Sequence, residues 1–193
     1  MRDSIIIRKL EKEEISHIYG KHLVYDFPKG EVKPLDVILN AYDEEKYFAY
    51  GMFEQGKFVA YAFLMDILPE NIYLLDYFAV VSEMRAGGYG SIFLKELKQI
   101  CDKDEKRLVL EVENPDYEDY SDLREMMKKR IAFYEKNEIL VSSVTCNFYD
   151  NEYRILYSGT PLDNKSVYEK IMNCYMYFFG ENFVSKHVTF HEY

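Results

Sequence analysis

Residues 85–91 read "RAGGYGS", between the apolar run "YLLDYFAVV" (Tyr73 to Val81) and the amphipathic run "IFLKELKQI" (Ile92 to Ile100). The chain has nine glycines, and three of them, Gly87, Gly88 and Gly90, fall in this short stretch. The upstream run has the length and composition of a buried strand. Downstream, Phe93, Leu94, Leu97, Ile100 and Cys101 recur at 3.6 spacing, one apolar face of a helix. The chain therefore passes from strand to helix through a glycine-rich turn. Such a turn leaves backbone N–H groups uncovered at the positive end of the helix dipole, an arrangement suited to a phosphate or diphosphate. A P-loop would need G-x-x-x-x-G-K-[ST], and no lysine follows Gly90. A dinucleotide fingerprint would need G-x-G-x-x-G, and Gly90 is followed by Ser91, Ile92 and Phe93. What stands is R-x-x-G-x-G, carried by Arg85, Gly88 and Gly90.

Working outward, Ser4 to Arg8 reads as a strand, Glu11 to Tyr25 as a helix and Leu35 to Tyr42 as a second helix. "KYFAYGMFE" (46–54) and "KFVAYAFLMD" (57–66) flank Gln55-Gly56, a hairpin signal, and Ile72 to Val81 completes a three-strand meander. "KRLVLEVEN" (106–114) is the next strand, expected parallel to its predecessor because a helix intervenes. A helix follows with Leu123, Met127, Ile131 and Tyr134 on one face, then strands at Ile139 to Tyr149 and Tyr153 to Ser158. A last helix carries Val167, Ile171, Cys174, Tyr175 and Phe178, and "NFVSKHVTFHEY" after it is left unassigned. The five prolines all lie between these segments, as boundary marks.

The chain is 193 residues long, the size of a single domain, 1–193. Its 34 acidic and 24 basic residues leave a formal net charge of −10. That balance disfavours nucleic acid and anionic membrane and suits a cationic partner. No apolar run approaches the ~20 residues of a membrane span, and "MRDSIIIRKL" is too short for a signal-peptide core, so a cytoplasmic protein is expected. Cys101, Cys146 and Cys174 lack pairing or zinc spacing, and the four histidines show no metal pattern, so no metal is expected.

The stretch "DYFAVVSEMRAGGYGSIFLKEL" resembles the signature of the GNAT superfamily of N-acetyltransferases: an apolar strand, R/Q-x-x-G-x-G/A, then a helix. "LVLEVEN" is similar to the family's L-E-V strand. "RIAFYEKNEI" (Arg130 to Ile139) is similar to its alanine and F/L-Y element. Together the three span about Ile72 to Ile139. The resemblance implies an α/β fold with a mixed, mostly antiparallel central sheet flanked by helices on both faces. It also implies acetyl-CoA as cosubstrate, with no metal, and direct transfer of the acetyl group to an amine.

By the same resemblance the diphosphate lies on the amides of Arg85, Ala86, Gly87, Gly88, Tyr89, Gly90 and Ser91, and Arg85 adds a cation. The pantetheine arm pairs with the main chain of Phe78, Ala79, Val80 and Val81, where the amide of Val80 or Val81 supports the oxyanion. Asn114 is the nearest stand-in for the family's asparagine after the L-E-V strand and is counted with the cofactor-binding positions. Glu111 is the first choice for the general base, with Asp76 and Glu113 as competitors. Tyr134 is the acid that reprotonates the thiolate. Two departures stand out. Glu111 and Tyr134 are 23 residues apart where compact members have about a dozen, and six of the twelve residues from Glu111 to Asp122 are acidic. That segment suits a cationic acceptor such as a polyamine or aminoglycoside. Asn137-Glu138 stands where the family often has glycine, and Asn137 is expected in the left-handed cap. The acceptor is a small-molecule or peptide amine, and the protein a monomer or homodimer. The alternative of a different class is a non-catalytic acyl-CoA-binding sensor or partner-binding module of the same fold.

Overall fold

The computed structural model describes residues 5–148 and 151–191. It divides into two compact units, one within Met1–Asp66 and Leu74–Ile100, the other within Ile67–Tyr73 and Cys101–Tyr193. The fold is mixed α/β with mostly antiparallel strands, as expected. Ser4, Tyr149, Glu192 and Tyr193, which the expected segments included, lie outside the described residues.

In the first unit the strands run in the order β1 (Ile5–Lys9), β2 (Tyr47–Glu54), β3 (Lys57–Ile67) and β4 (Ile72–Val80). The β2–β3 hairpin forms where Gln55-Gly56 predicts it. Both turn residues take positive φ, 49° and 78°, which matches the right-handed twist of the flanking strands. The helix expected over 11–25 is helical throughout but not one regular helix. It runs as α1 (Lys12–Ile18), a π turn (Tyr19–Leu23) and α2 (Val24–Asp26). Its buried side chains give the reason: Ile15, Ile18 and Leu23 face the core, and the last step is five residues long. A π turn brings i and i+5 onto one face, so Leu23 enters the core in place of His22. α3 (Leu35–Asp43) buries Ile38, and α4 (Tyr89–Lys103) buries Phe93, Leu94 and Leu97, the face read from the spacing. Each such side chain contributes roughly 1.5–3 kcal/mol.

The second unit orders its strands β5 (Arg107–Glu113), β7 (Asn151–Tyr157), β6 (Leu140–Phe148) and β8 (Val188–His191), antiparallel at every pairing. Its helices are α5 (Ser121–Lys136), α6 (Asn164–Phe179) and α7 (Glu181–His187). The unassigned C-terminal stretch thus supplies a helix and a strand. Side-chain stacking places them: Phe148 lies 5.5 Å from Tyr175, Phe179 lies 5.0 Å from Phe183, and Phe190 lies 5.0 Å from Tyr168. Strand and helix periods cannot be told apart in a segment this short and this aromatic. α5 corrects another expectation. Of its proposed apolar face only Tyr134 is buried, while Leu123 is 42% exposed, so the face holds only near the helix end. Asn137 is the C-cap but stays at φ −99°, and the left-handed residue is Glu138, at φ 62°. In β6, Val141 faces Leu156 and Thr145 faces Arg154, so four steps on one strand match two on the other. Ser142 and Ser143 bulge out where an unbroken strand was expected.

Tyr47, Tyr61, Tyr77 and Tyr134 hold their protons more tightly than an ordinary tyrosine, with burial the leading cause in each. Below pH ~10 both folded and unfolded chains keep these protons. Above it the unfolded chain loses them first, so stability falls as pH rises through the folded-state values. Urea unfolding between pH 8 and 11.5 should show the fall setting in near pH 10, at about 1.4 kcal/mol per pH unit for each tyrosine ionised only when unfolded.

Candidate active site

The glycine turn occupies the exit from β4. After a short 3₁₀ turn (Ser82–Met84), Ala86 and Gly88 take left-handed φ of 61° and 78°, and α4 begins at Tyr89. A non-glycine residue in that region costs about 1–2 kcal/mol, so Ala86 stores local strain at this corner. A Cβ added at Gly88 would meet nothing within 4 Å. Gly88 is therefore not a packing glycine: it supplies the positive φ and leaves open space in front of the amides. The first turn of α4 contains no acidic residue, and the first intrahelical bond runs from Ile92 N–H to Gly88 O at 3.3 Å. The amides before Ile92 lie at the positive end of the helix dipole, and no acidic side chain of the first turn offsets it. These residues fit the diphosphate of acetyl-CoA.

The side chains of the turn are directed elsewhere. The Tyr89 hydroxyl donates to Glu54 of β2. Arg85 donates from Nε to Val80 O at 3.0 Å and pairs with Asp26 at 2.8 Å, while its side chain stays 58% exposed. One expectation is corrected here. Val81 N–H is bonded to Val59 O of β3 at 2.9 Å and is spent within the sheet. Because N–H directions alternate along a strand, Val80 N–H points to the opposite edge from β3.

Also in the first unit, Asp76 on β4 is not an open base. One carboxylate oxygen receives Lys33 Nζ at 2.6 Å and the other the hydroxyl of Tyr47. Neither Lys33 nor Tyr47 is marked by any motif. Lys33 stands in the loop "DFPKGEVKP", and its role appears only when that loop is laid on β4.

In the second unit, Glu111 is half-buried on β5, and its charge helps raise the thiols of Cys146 and Cys174, for both of which burial is the larger cause. Glu113, two positions on, forms an ion pair with Arg130 of α5. The two glutamates expected to share a cleft therefore have different environments. Tyr134 is 6% exposed, and burial pushes its hydroxyl up to about 12, with Arg130 opposing and Glu113 adding to the shift. It is protonated at any physiological pH and able to act as a donor.

Asn114 has a structural task. Its Oδ1 accepts from Arg154 Nε at 2.9 Å and from Asp116 N–H at 3.2 Å, closing the turn after β5. Arg154 also pairs with Asp116. Beside them lies a polar cavity of about 540 Å³, lined by Asn114, Tyr117, Ser142, Ser143, Thr145 and Arg154 among others. The β6 bulge lends Ser142 and Ser143 to its lining, and neither Glu111 nor Tyr134 lines it. Among the described residues no helix is long and apolar enough to cross a membrane, and no cluster of three metal-ligating side chains occurs.

A family model described as the acetyltransferase (GNAT) family matches residues 12–137, about two thirds of the chain. Comparison with curated proteins returns no match. Among solved structures, a protein of Bacteroides thetaiotaomicron assigned to the GNAT acetyltransferases is 22% identical, with a TM-score of 0.71 over 91% of this chain and 99% of its own. The ribosomal-protein-S18-alanine N-acetyltransferase of Escherichia coli is 19% identical, with a TM-score of 0.60 over 83% and 98%. A GNAT acetyltransferase of Elizabethkingia anophelis with acetyl-CoA bound is 14% identical, with a TM-score of 0.58 over 82% and 99%. The signature turn lies inside the matched span, in the strand-to-helix geometry that the signature requires: the chain belongs to the GNAT acetyltransferase family.

Proposed function

We propose that the protein moves the acetyl group of acetyl-CoA to a primary amine of a small molecule or peptide, by direct attack of the amine on the thioester. The observation that carries this reading is the turn before α4, with Ala86 and Gly88 left-handed and open space at Gly88. In this reading the amides from Ala86 to Ser91 hold the diphosphate, and Arg85 contributes a cation from its exposed guanidinium. The main chain of Phe78 to Val80 aligns the pantetheine arm, and an amide of the same stretch supports the oxyanion as the amine adds.

An alkylamine of pKa ~10 arrives as an ammonium and must lose a proton to attack. Glu111 is the proposed base. It is the glutamate of the L-E-V element, the position to which the family resemblance gives this role. Tyr134 is the proposed acid. Its hydroxyl, raised to about 12, keeps a proton to return to the CoA thiolate as the C–S bond breaks. The net charge of −10 and the acidic run from Glu111 to Asp122 favour a cationic acceptor. We infer that the chain works as one acyltransferase domain in the cytoplasm. The family match runs through both units, and its three cysteines are buried free thiols.

With CoA at about a hundred times its dissociation constant, the protein should gain about 2.7 kcal/mol of stability in a thermal-shift or urea titration. Gly88→Val, which strains the turn and fills the space before the amides, should weaken CoA binding by about tenfold or more while far-UV circular dichroism stays unchanged. In a thiol-release assay with an amine library, Glu111→Gln and Tyr134→Phe should each lower kcat by roughly 10²–10⁴ and leave CoA affinity within a factor of about two. CoA binding with no thiol released from any amine would identify a binding module and end the transferase reading.

A further inference from the structure

Lys33 lies in the loop joining α2 to α3, and its ammonium is placed where a basic ligand would be expected. Nζ sits 2.6 Å from Asp76 Oδ1 and 5.6 Å from the centroid of the Tyr77 ring. The other carboxylate oxygen is fixed by the Tyr47 hydroxyl. Phe27 packs edge-on to Tyr77 at 5.0 Å, and Phe63 lies 6.0 Å from both Tyr77 and Tyr47. A carboxylate held by a buried hydroxyl, an aromatic face and apolar walls are the parts of an alkylammonium receptor. The pair is also sheltered, with Asp76 12% and Lys33 23% exposed in their side chains. The loop is fastened independently of this cation. The Tyr77 hydroxyl accepts Lys33 backbone N–H at 2.8 Å and donates to Glu31 O at 2.9 Å.

Position along β4 gives the cluster its meaning, and this step rests on the function proposed above. With the diphosphate on the turn at 85–91, the pantetheine arm runs back along β4 and brings the thioester toward Phe78. Asp76 is two residues further on, about 7 Å at the rise of a strand. A short alkyl diamine spans a gap of that order, one nitrogen on the carboxylate and the other at the thioester.

We propose that Asp76, with Tyr47 and Tyr77, anchors a second ammonium of the acceptor, and that Lys33 is a tethered occupant of this anchor which the acceptor displaces. The substrate class is therefore an alkyl diamine or larger polycation. Lys33 lowers apparent affinity for it by competing intramolecularly at high effective concentration.

The test uses the full chain and 1,4-diaminobutane as probe, by calorimetry without acetyl-CoA and by thiol release with it. Lys33→Met should bind the diamine about tenfold more tightly than the natural protein and show a similarly lower KM, the factor for an anchor occupied about nine-tenths of the time. In the thiol-release assay, kcat/KM for butylamine, which has no second cation to place at the anchor, should change by less than about twofold. Lys33→Arg should restore the natural values, and adding Asp76→Asn to Lys33→Met should abolish the gain. Because the Tyr77 bond to the Lys33 backbone survives the substitution, loss of the loop does not confound the reading. Unchanged diamine affinity in Lys33→Met, or a gain that persists without Asp76, overturns the inference. CoA release from amines without that gain sinks the inference and leaves the transferase intact. Tighter diamine binding with no CoA release supports the anchor and removes the transferase.

Discussion

The structure's functional reading depends on one helix end whose first turn carries no acidic side chain. α4 starts directly after two left-handed residues, carries no acidic side chain in its first turn, and faces open space at Gly88. Backbone N–H groups are obligatory donors, and a helix start without a capping carboxylate leaves several of them for water or an external anion. The strain at Ala86 is stable only because the surrounding elements hold it. β4 is locked to β3 through Val81 on one side, and α4 is buried through Phe93, Leu94 and Leu97 on the other. A rigid strand followed by a rigid helix leaves the turn little freedom to collapse onto its own amides.

In each unit, charge pairing ties acidic side chains to basic ones. A chain with ten more acidic than basic residues has carboxylates to spare, so type and number say little about role. Lys33 closes Asp76, Arg130 closes Glu113, Arg85 holds Asp26, and Arg154 holds Asp116. A carboxylate already accepting a charged donor must give up that bond before it can take a proton from a substrate. The basic residues thus sort part of a surplus of acids into structural pairs. In the case of Lys33, the sorting also places a cation where an acceptor's would sit.

Much of this was legible in the residues alone. The strand, turn and helix from Tyr73 to Cys101, the Gln55-Gly56 hairpin and the L-E-V strand all appear as read, because each is written in short-range pattern: period, glycine, or a turn pair. The misreadings have a common source. The π turn at Tyr19–Leu23 depends on Leu23 reaching the core, the β6 bulge on which residue faces Arg154, and β8 on aromatic stacking against α6. Leu123 keeps helical periodicity yet is exposed, since periodicity reports which side could be buried and not whether anything covers it.

By itself the sequence determined the glycine-turn corner between strand and helix and the family, because a left-handed turn and a helix start are properties of adjacent residues. Only the tertiary structure decided that Val81's amide is spent in the sheet, that Asn114 serves Arg154, and that Asp76 belongs to Lys33. Those outcomes are set by pairings between positions separated by 22, 40 and 43 residues. Hydrogen bonds and ion pairs act over a few ångströms of space, and a one-dimensional pattern holds no record of which distant partner arrives within that range.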